Sequence, residues 1–168
     1  MKKAVWTAVT AVALLVCARA ASAQTTLATE QINATITVTS QARLILSGPV
    51  SFADADPDTI PTLVSPDVSV TARARVAPTD TLEVTVASNN AFFDTVNGTS
   101  TIPVAGMTWT ATGTGFNANG TMSTSATQVA TWTGAANHTG TQTYSMPNSW
   151  TYAPGTHVVV LTYTLAIP

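Results

Sequence analysis

The stretch VSVTARARV at residues 68–76 decides the fold class. Val68, Val70 and the alanines at the next alternate positions are separated by Ser69, Thr71 and two arginines. A period of two places alternate side chains on opposite faces of an extended chain. This stretch therefore predicts a β-strand with one apolar and one polar face.

The same period recurs in both directions from this stretch. It is found at residues 32–38, 82–86 and 157–167, and no segment after residue 24 has convincing helical periodicity. Turn signals such as Asn119-Gly120 separate the alternating segments at a steady spacing. Eight or nine short strands of this kind predict an all-β fold, an immunoglobulin-like or jelly-roll β-sandwich.

Two pairing arrangements are expected from these patterns. Residues 68–76 and 82–86 are predicted to form a hairpin, in which Glu83 meets Arg73 and Arg75 on the polar face. The last strand, residues 157–167, is apolar on both faces in its first half. It is therefore expected to be a central strand of its sheet.

The N-terminus has the pattern of a secretory signal peptide of a bacterial-type cell. Lys2 and Lys3 precede an uncharged apolar run at residues 4–17, and Ala21-Ser-Ala23 supplies small residues for cleavage before Gln24. The run is shorter than the roughly 20 residues of a membrane span. We expect a signal peptide at residues 1–23 and one domain at residues 24–168, exported to the periplasm, cell surface or extracellular space.

Charge excludes one class of partner. After cleavage the chain has three arginines and no lysine against eight acidic residues, a formal net charge of −5. No basic patch is expected, so neither nucleic acid nor an anionic membrane is a predicted partner. The single cysteine, Cys17, precedes the cleavage site, so packing and sheet hydrogen bonds must stabilise the domain.

Catalysis has little support. The two histidines, His138 and His157, show no metal-binding spacing, and no Gly-x-Ser-x-Gly elbow or phosphate-binding glycine loop is present. We predict that the protein is not an enzyme and has no cofactor.

One acidic loop raises the question of calcium. Asp54, Asp56 and Asp58 alternate, and Ca²⁺ takes oxygen ligands of this kind. Thr59 stands where the calcium loop needs glycine, and Ser65 stands where it needs a bidentate glutamate. The three aspartates are a candidate metal site, and a solvated acidic loop is the alternative interpretation.

Aromatic residues cluster in the second half of the chain. Trp109 and Trp132 lie within predicted strands, which favours the core between two sheets. Trp150 and Tyr152 lie in a loop between prolines. They are candidate ligand-binding aromatics, because exposed aromatic rings stack on sugars or anchor partner proteins.

Both ends of the chain resemble exported β-sandwich surface subunits. The signal peptide, the alternating segment at residues 32–38 and the last strand, THVVVLTYTL at residues 156–165, resemble the spore coat protein U and pilin-like group. The ending LTYTLAIP at residues 161–168 is similar to that of WxL surface domains, with tyrosine in place of tryptophan. The chain departs from the coat and pilin group in having no disulfide, because no cysteine follows the predicted cleavage site.

The resemblance implies surface attachment or fibre assembly. We therefore predict a secreted, non-enzymatic structural or adhesive cell-surface subunit, whose partners are copies of itself or other surface proteins. Residues 32–38 are the candidate segment for strand addition to a neighbour. The alternative is a carbohydrate-binding module that uses Trp150 and Tyr152 to hold glycans.

Overall fold

The fold was analysed in a computed structural model that describes residues 30, 32–95, 98–116 and 119–168. The predicted signal peptide at residues 1–23 and its cleavage site lie outside the described residues. The chain divides into two units, Met1–Thr37 and Val38–Pro168. In the first unit, residue 30 and residues 32–37 are exposed and form no strand.

Twelve strands and one short 3-10 helix, Val104–Gly106, lie within the described part of the second unit, where no α-helix occurs. The strands are β1 (Gln41–Leu46), β2 (Thr62–Val64), β3 (Val68–Arg75), β4 (Thr81–Ser88), β5 (Phe92–Thr95), β6 (Gly98–Pro103), β7 (Thr108–Thr112), β8 (Asn119–Thr121), β9 (Thr127–Thr133), β10 (Ala136–Pro147), β11 (His157–Val158) and β12 (Leu161–Ala166). Short pairing segments, such as the three-residue β2 and β8, make the number larger than the eight or nine predicted. No helix in the described ranges is long and apolar enough to cross a membrane.

The strands form three antiparallel sheets. The largest has the order β1-β3-β10-β7-β8, with β2 also paired to β10. The second has the order β12-β4-β9, and the third has the order β11-β5-β6. One core contains buried apolar residues from all three sheets, including Val84, Phe93 and Trp109. The predicted all-β sandwich is therefore confirmed.

The two strand tryptophans lie in the core, as predicted. Trp109 and Trp132 are both buried. The Trp109 indole lies against Gly120, its register partner on β8, where an added Cβ would overlap the ring. Glycine is needed at this strand position because the ring occupies the space of a side chain.

The predicted hairpin between residues 68–76 and 82–86 is wrong. β3 pairs with β1 and β10 in the largest sheet, whereas β4 pairs with β9 and β12 in the second sheet. The turn at residues 77–80 therefore carries the chain from one sheet to the other, and Glu83 does not meet the arginines of β3. Both strands still bury their apolar face, so alternation alone does not distinguish the two connections.

The expectation of no basic patch is also wrong. Arg43 on β1 lies directly opposite Arg73 on β3, and Arg75 lies two residues further along β3. All three side chains are exposed on the outer face of the largest sheet. Strand pairing brings together residues that are about thirty positions apart in the chain, which a search for basic runs does not detect.

The final strand is not central. The predicted segment divides into β11 and β12, which belong to different sheets, and β12 lies at the edge of its sheet. Val158 and Val160, on the second face, are more than half exposed. The apolar residues on that face therefore do not indicate a second sheet partner within the described chain.

Candidate functional site: an open edge strand beside an apolar groove

β12 offers one unpaired strand edge. On one side it pairs along its whole length with β4, from Leu161 opposite Ser88 to Ala166 opposite Glu83. On the other side no strand of the described residues pairs with it. An edge of this kind presents a row of free backbone N–H and C=O groups, which is a template for another strand.

The inner face of β12 is incompletely covered. Leu161, Tyr163 and Leu165 point toward the core but are only partly buried. On the adjacent strand β4, the inward residues Val84 and Val86, which lie opposite Leu165 and Tyr163, are fully buried. The second sheet therefore has a complete apolar cover over β4 and an incomplete one over β12.

A large apolar groove accompanies this edge. Its cavity measures about 1200 Å³, and its walls include Leu46 and Phe52 on one side and Leu161 and Tyr163 on the other. Buried core residues such as Met107 also line it. This volume exceeds that of an ordinary small-molecule site, which is about 300–1,000 Å³.

A buried polar cluster holds β12 against the opposite sheet. The Tyr163 hydroxyl donates to Oε1 of Gln142 on β10 at 2.6 Å, and the hydroxyls of Tyr144 and Tyr163 are also hydrogen-bonded to each other. Gln142 Nε2 and Trp109 Nε1 are buried and have no hydrogen-bond partner in the described part of the chain. The cluster joins the two sheets next to the groove, so it fixes the position of the edge strand.

Burial controls the ionisation of this cluster. Desolvation raises the pKa of Tyr144 far above its ordinary value of 10, and the neighbouring Tyr163 raises it further. Desolvation also raises the pKa of Tyr163, although its hydrogen bond to Tyr144 acts in the opposite direction. Both hydroxyls therefore stay protonated and can donate hydrogen bonds throughout the neutral range.

The predicted acidic loop lies at one end of the groove. Asp54 and Asp56 contribute to the groove lining. Asp56 Oδ1 accepts the Asp58 backbone N–H at 2.9 Å, and Asp58 Oδ1 accepts Trp150 Nε1 at 3.1 Å. Within the described residues, no three acidic, histidine or cysteine side chains form a group that could hold a metal ion. The carboxylates of Asp56 and Asp58 instead accept hydrogen bonds from the loop backbone and from the indole.

The two candidate ligand-binding aromatics differ in exposure. Both line the groove. Trp150 is 69% exposed, whereas Tyr152 is partly buried against the core. The segment that carries them is tied to the acidic loop, because Asn148 Nδ2 donates to the carbonyls of Ala55 and Ile60 at 2.9 and 3.0 Å. Trp150 is therefore the more accessible of the two rings.

Residues 32–38 keep their apolar side chains exposed. Ile32 is 94% exposed, Ile36 is 86% exposed and Val38 is 56% exposed. The predicted strand over these residues is absent, and they pair with no other described segment. Among the described residues, an alternating segment without a partner strand thus coexists with a β12 edge that also has no partner strand.

Sequence reasoning missed the groove and the edge position of β12. The groove combines loop residues such as Phe52 with strand residues more than a hundred positions later, such as Leu161. The apolar residues Val158 and Val160 were interpreted as evidence of a central position, but they precede β12 and are more than half exposed, so they gave no signal of its edge position.

No protein-family model and no curated protein compared with the chain matches it.

Proposed function

We propose that this protein is an exported, non-enzymatic structural subunit of the cell surface that assembles by strand addition. Residues 32–38 of one copy pair with the free edge of β12 on another copy and fill its apolar groove. The observation that supports this proposal is the coexistence of an exposed alternating segment with an unpaired, incompletely covered edge strand.

The lengths and patterns of the two segments match. Residues 32–38 contain seven residues, and β12 contains six. The alternating residues Ile32, Ala34, Ile36 and Val38 would face the groove, and the asparagine and threonines between them would face solvent. This alternation is what a sheet with one buried face requires of an added strand.

Burial provides the driving force for association. Fully burying an exposed aliphatic side chain such as Ile32 or Ile36 contributes about 1.5–3 kcal/mol. Backbone hydrogen bonds to the β12 edge add about 0.5–1.5 kcal/mol each. These gains oppose an association cost of about 4–15 kcal/mol. The balance permits stable subunit contacts without a disulfide.

The test compares two substitutions on opposite faces of the same segment. Ile36→Asp would place a carboxylate in the groove, whereas the matched Thr35→Asp would leave it on the solvent face. The protein purified after export is examined by size-exclusion chromatography with light scattering at rising concentration, followed by negative-stain microscopy. We expect wild type and Thr35→Asp to form growing oligomers or filaments and Ile36→Asp to stay monomeric.

Two results would contradict strand addition. Wild-type protein that remains monomeric at high concentration would remove self-assembly altogether. Oligomers that persist in Ile36→Asp would show that residues 32–38 are not the connecting strand.

Glycan binding is the second candidate function, because Trp150 is a highly exposed indole beside the groove. An exposed aromatic face stacks on sugar rings. Intrinsic fluorescence titrated against a panel of neutral and acidic glycans, in wild type and Trp150→Ala, tests it. A response lost in Trp150→Ala would support this function, and no response to any glycan would count against it.

A further inference from the structure

The outer face of the largest sheet carries every arginine of the described residues at one end. Arg43 and Arg73 are direct cross-strand partners, and Arg75 lies opposite Gln41. Directly opposed residues of antiparallel strands have Cα atoms about 4.5–5.5 Å apart. The three guanidinium groups therefore form one compact positive surface, which we call the arginine face.

The arginine face lacks a partner that would neutralise it. No carboxylate forms an ion pair with Arg43, Arg73 or Arg75 within the described part of the chain. Like charges that face each other across strands destabilise a sheet. In a chain with eight acidic residues and only three arginines after the predicted cleavage, this arrangement points to an anionic partner from outside the molecule.

The acidic loop, residues 54–58, lies at the opposite end of the same sandwich. Asn137, near the start of β10, is the register partner of Arg73. β10 ends at Pro147, and the next residue, Asn148, is bonded to Ala55 of the acidic loop. Ten residues of strand separate Asn137 from Pro147, which corresponds to about 33 Å.

We propose that the arginine face of one copy docks on the acidic loop of the next copy. A contact between two different, complementary surfaces at opposite ends of a molecule is heterologous, or head-to-tail. Repeated contacts of this kind produce filaments unless they close into a ring. The exposed carboxylates of Asp54, Asp56 and Asp58 have the number and sign of charge that the three arginines require. Guanidinium groups bind carboxylates with two parallel hydrogen bonds.

This inference rests on the proposed strand addition and specifies the orientation of the added strand relative to β12. Val38 precedes β1 by only two residues, and β1 begins at the arginine end of the sandwich. Arg75 ends β3 at that same end, and Asp54 lines the groove near the start of β12. A neighbour that enters the groove from the acidic end therefore brings its arginine face toward the acidic loop. The added strand then runs antiparallel to β12.

The test exchanges the charges between the two surfaces. One full-length variant carries Arg43→Glu and Arg73→Glu, and the second carries Asp54→Arg and Asp56→Arg. In a filament of either variant alone, the two surfaces that meet carry the same sign of charge. In an equal mixture, a filament in which the two variants alternate has opposite charges at every contact. Sedimentation and light scattering at low salt should show assembly weakened about tenfold or more for each variant alone and restored in the mixture.

The controls separate charge from fold and from strand addition. Asp67→Arg with Asp94→Arg makes the same change of net charge at two exposed positions outside the acidic loop and should assemble like wild type. Circular dichroism and thermal melting of each unmixed variant establish that it is folded. Ile36→Asp tests strand addition without changing either charged surface. A wild-type protein that stays monomeric would contradict the proposed function itself.

Two outcomes would overturn the head-to-tail contact while strand addition still holds. In the first outcome, Ile36→Asp abolishes assembly, but the two charge-reversal variants either assemble like wild type or fail to assemble when they are mixed. The other is binding to immobilised polygalacturonate that is lost in the Arg43→Glu, Arg73→Glu variant while assembly is unchanged. That result would assign the arginine face to an acidic polysaccharide.

Discussion

β4 and β12 are adjacent strands of one sheet with the same alternating pattern, yet their inner faces differ. Leu82 and Val84 of β4 are fully buried, whereas Leu161 and Leu165 of β12 are partly buried. Among the described residues, β4 has a strand on each side, and β12 has a strand on one side. Alternation therefore sets which face points inward, while the neighbouring strand determines how well that face is covered.

Residues 32–38 are the extreme case in this comparison. They have the same alternation and pair with no strand of the described residues, and Ile32 and Ile36 are almost fully exposed. The inward side chains are thus fully buried in β4, partly buried in β12 and exposed in residues 32–38. The proposed assembly would bury those of β12 and of residues 32–38 as completely as those of β4.

The largest expected effect comes from shortening equivalent side chains on β4 and β12. Leu82→Ala should lower the free energy of unfolding by about 2–5 kcal/mol, because it leaves a cavity in a closed core. Leu165→Ala should cost less than half as much, because its side chain is only partly buried. Urea unfolding in an Ile36→Asp background measures both without a contribution from assembly. Equal costs would contradict the difference in packing.

A peptide of residues 30–40 should stabilise the monomeric Ile36→Asp protein by covering β12. At a peptide concentration one hundred times its Kd, binding should add about 2.7 kcal/mol and raise the Tm by roughly 5–10 °C. Differential scanning fluorimetry measures the shift. The peptide with Thr35→Asp should keep the effect, and the peptide with Ile36→Asp should lose it. Identical shifts for both variant peptides would argue against an oriented strand in the groove.

Alkaline pH should lower the stability of the fold through the tyrosine cluster of Tyr144 and Tyr163. Burial raises the pKa of Tyr144 and Tyr163 above their unfolded value of 10. Above about pH 10, unfolding therefore releases protons, so stability that is fully present below pH 10 falls as the pH rises, by up to about 1.4 kcal/mol per pH unit for each tyrosine.

Thermal melting between pH 8 and pH 11.5 measures this loss. Tyr144→Phe should make the alkaline decline shallower, because it removes the group with the larger rise in pKa. Tyr152→Phe is the matched control outside the cluster and should leave the decline unchanged. A decline of the same slope in Tyr144→Phe would show that another group controls it.

The smallest effect is expected at the acidic loop. Trp150→Phe removes the hydrogen bond to Asp58 at an exposed position, so the free energy of unfolding should change by no more than about 0.5 kcal/mol. Urea unfolding of the Ile36→Asp monomer with and without this substitution measures it. A loss above about 1 kcal/mol would give Trp150 a structural role in holding the acidic loop, rather than a role at the surface.

Alternation located the strands at residues 68–76 and 82–86 correctly, where partner strands exist within the described residues. The β3 and β4 strands were both located by their period of two, and the core positions of Trp109 and Trp132 followed from the same patterns. The partners were not predictable, because a short turn such as residues 77–80 serves equally as a hairpin or as a crossing between sheets. The hairpin and the central position of the last strand failed for this reason.

The candidate site was predicted only in part. The exposed aromatic Trp150, the acidic loop and the segment at residues 32–38 were all identified as separate features of the sequence. The shared location of Trp150 and the acidic loop around one groove was not, because Phe52, Trp150 and Leu161 come together only through loop and strand packing. The arginine face was missed for the same physical reason, since only the β1–β3 register places Arg43 opposite Arg73.

The all-β class follows from the amino-acid pattern alone, because a period of two with threonine on the polar face suits only half-buried strands. The same pattern specifies the apolar face of each strand, and the composition specifies the unusually low number of basic groups. Strand pairing depends on the fold as a whole, and with it the edge of β12 that no described strand covers, the groove beside it and the opposite charges at opposite ends. Those properties depend on contacts between distant residues, and the local pattern of a strand does not specify its neighbour.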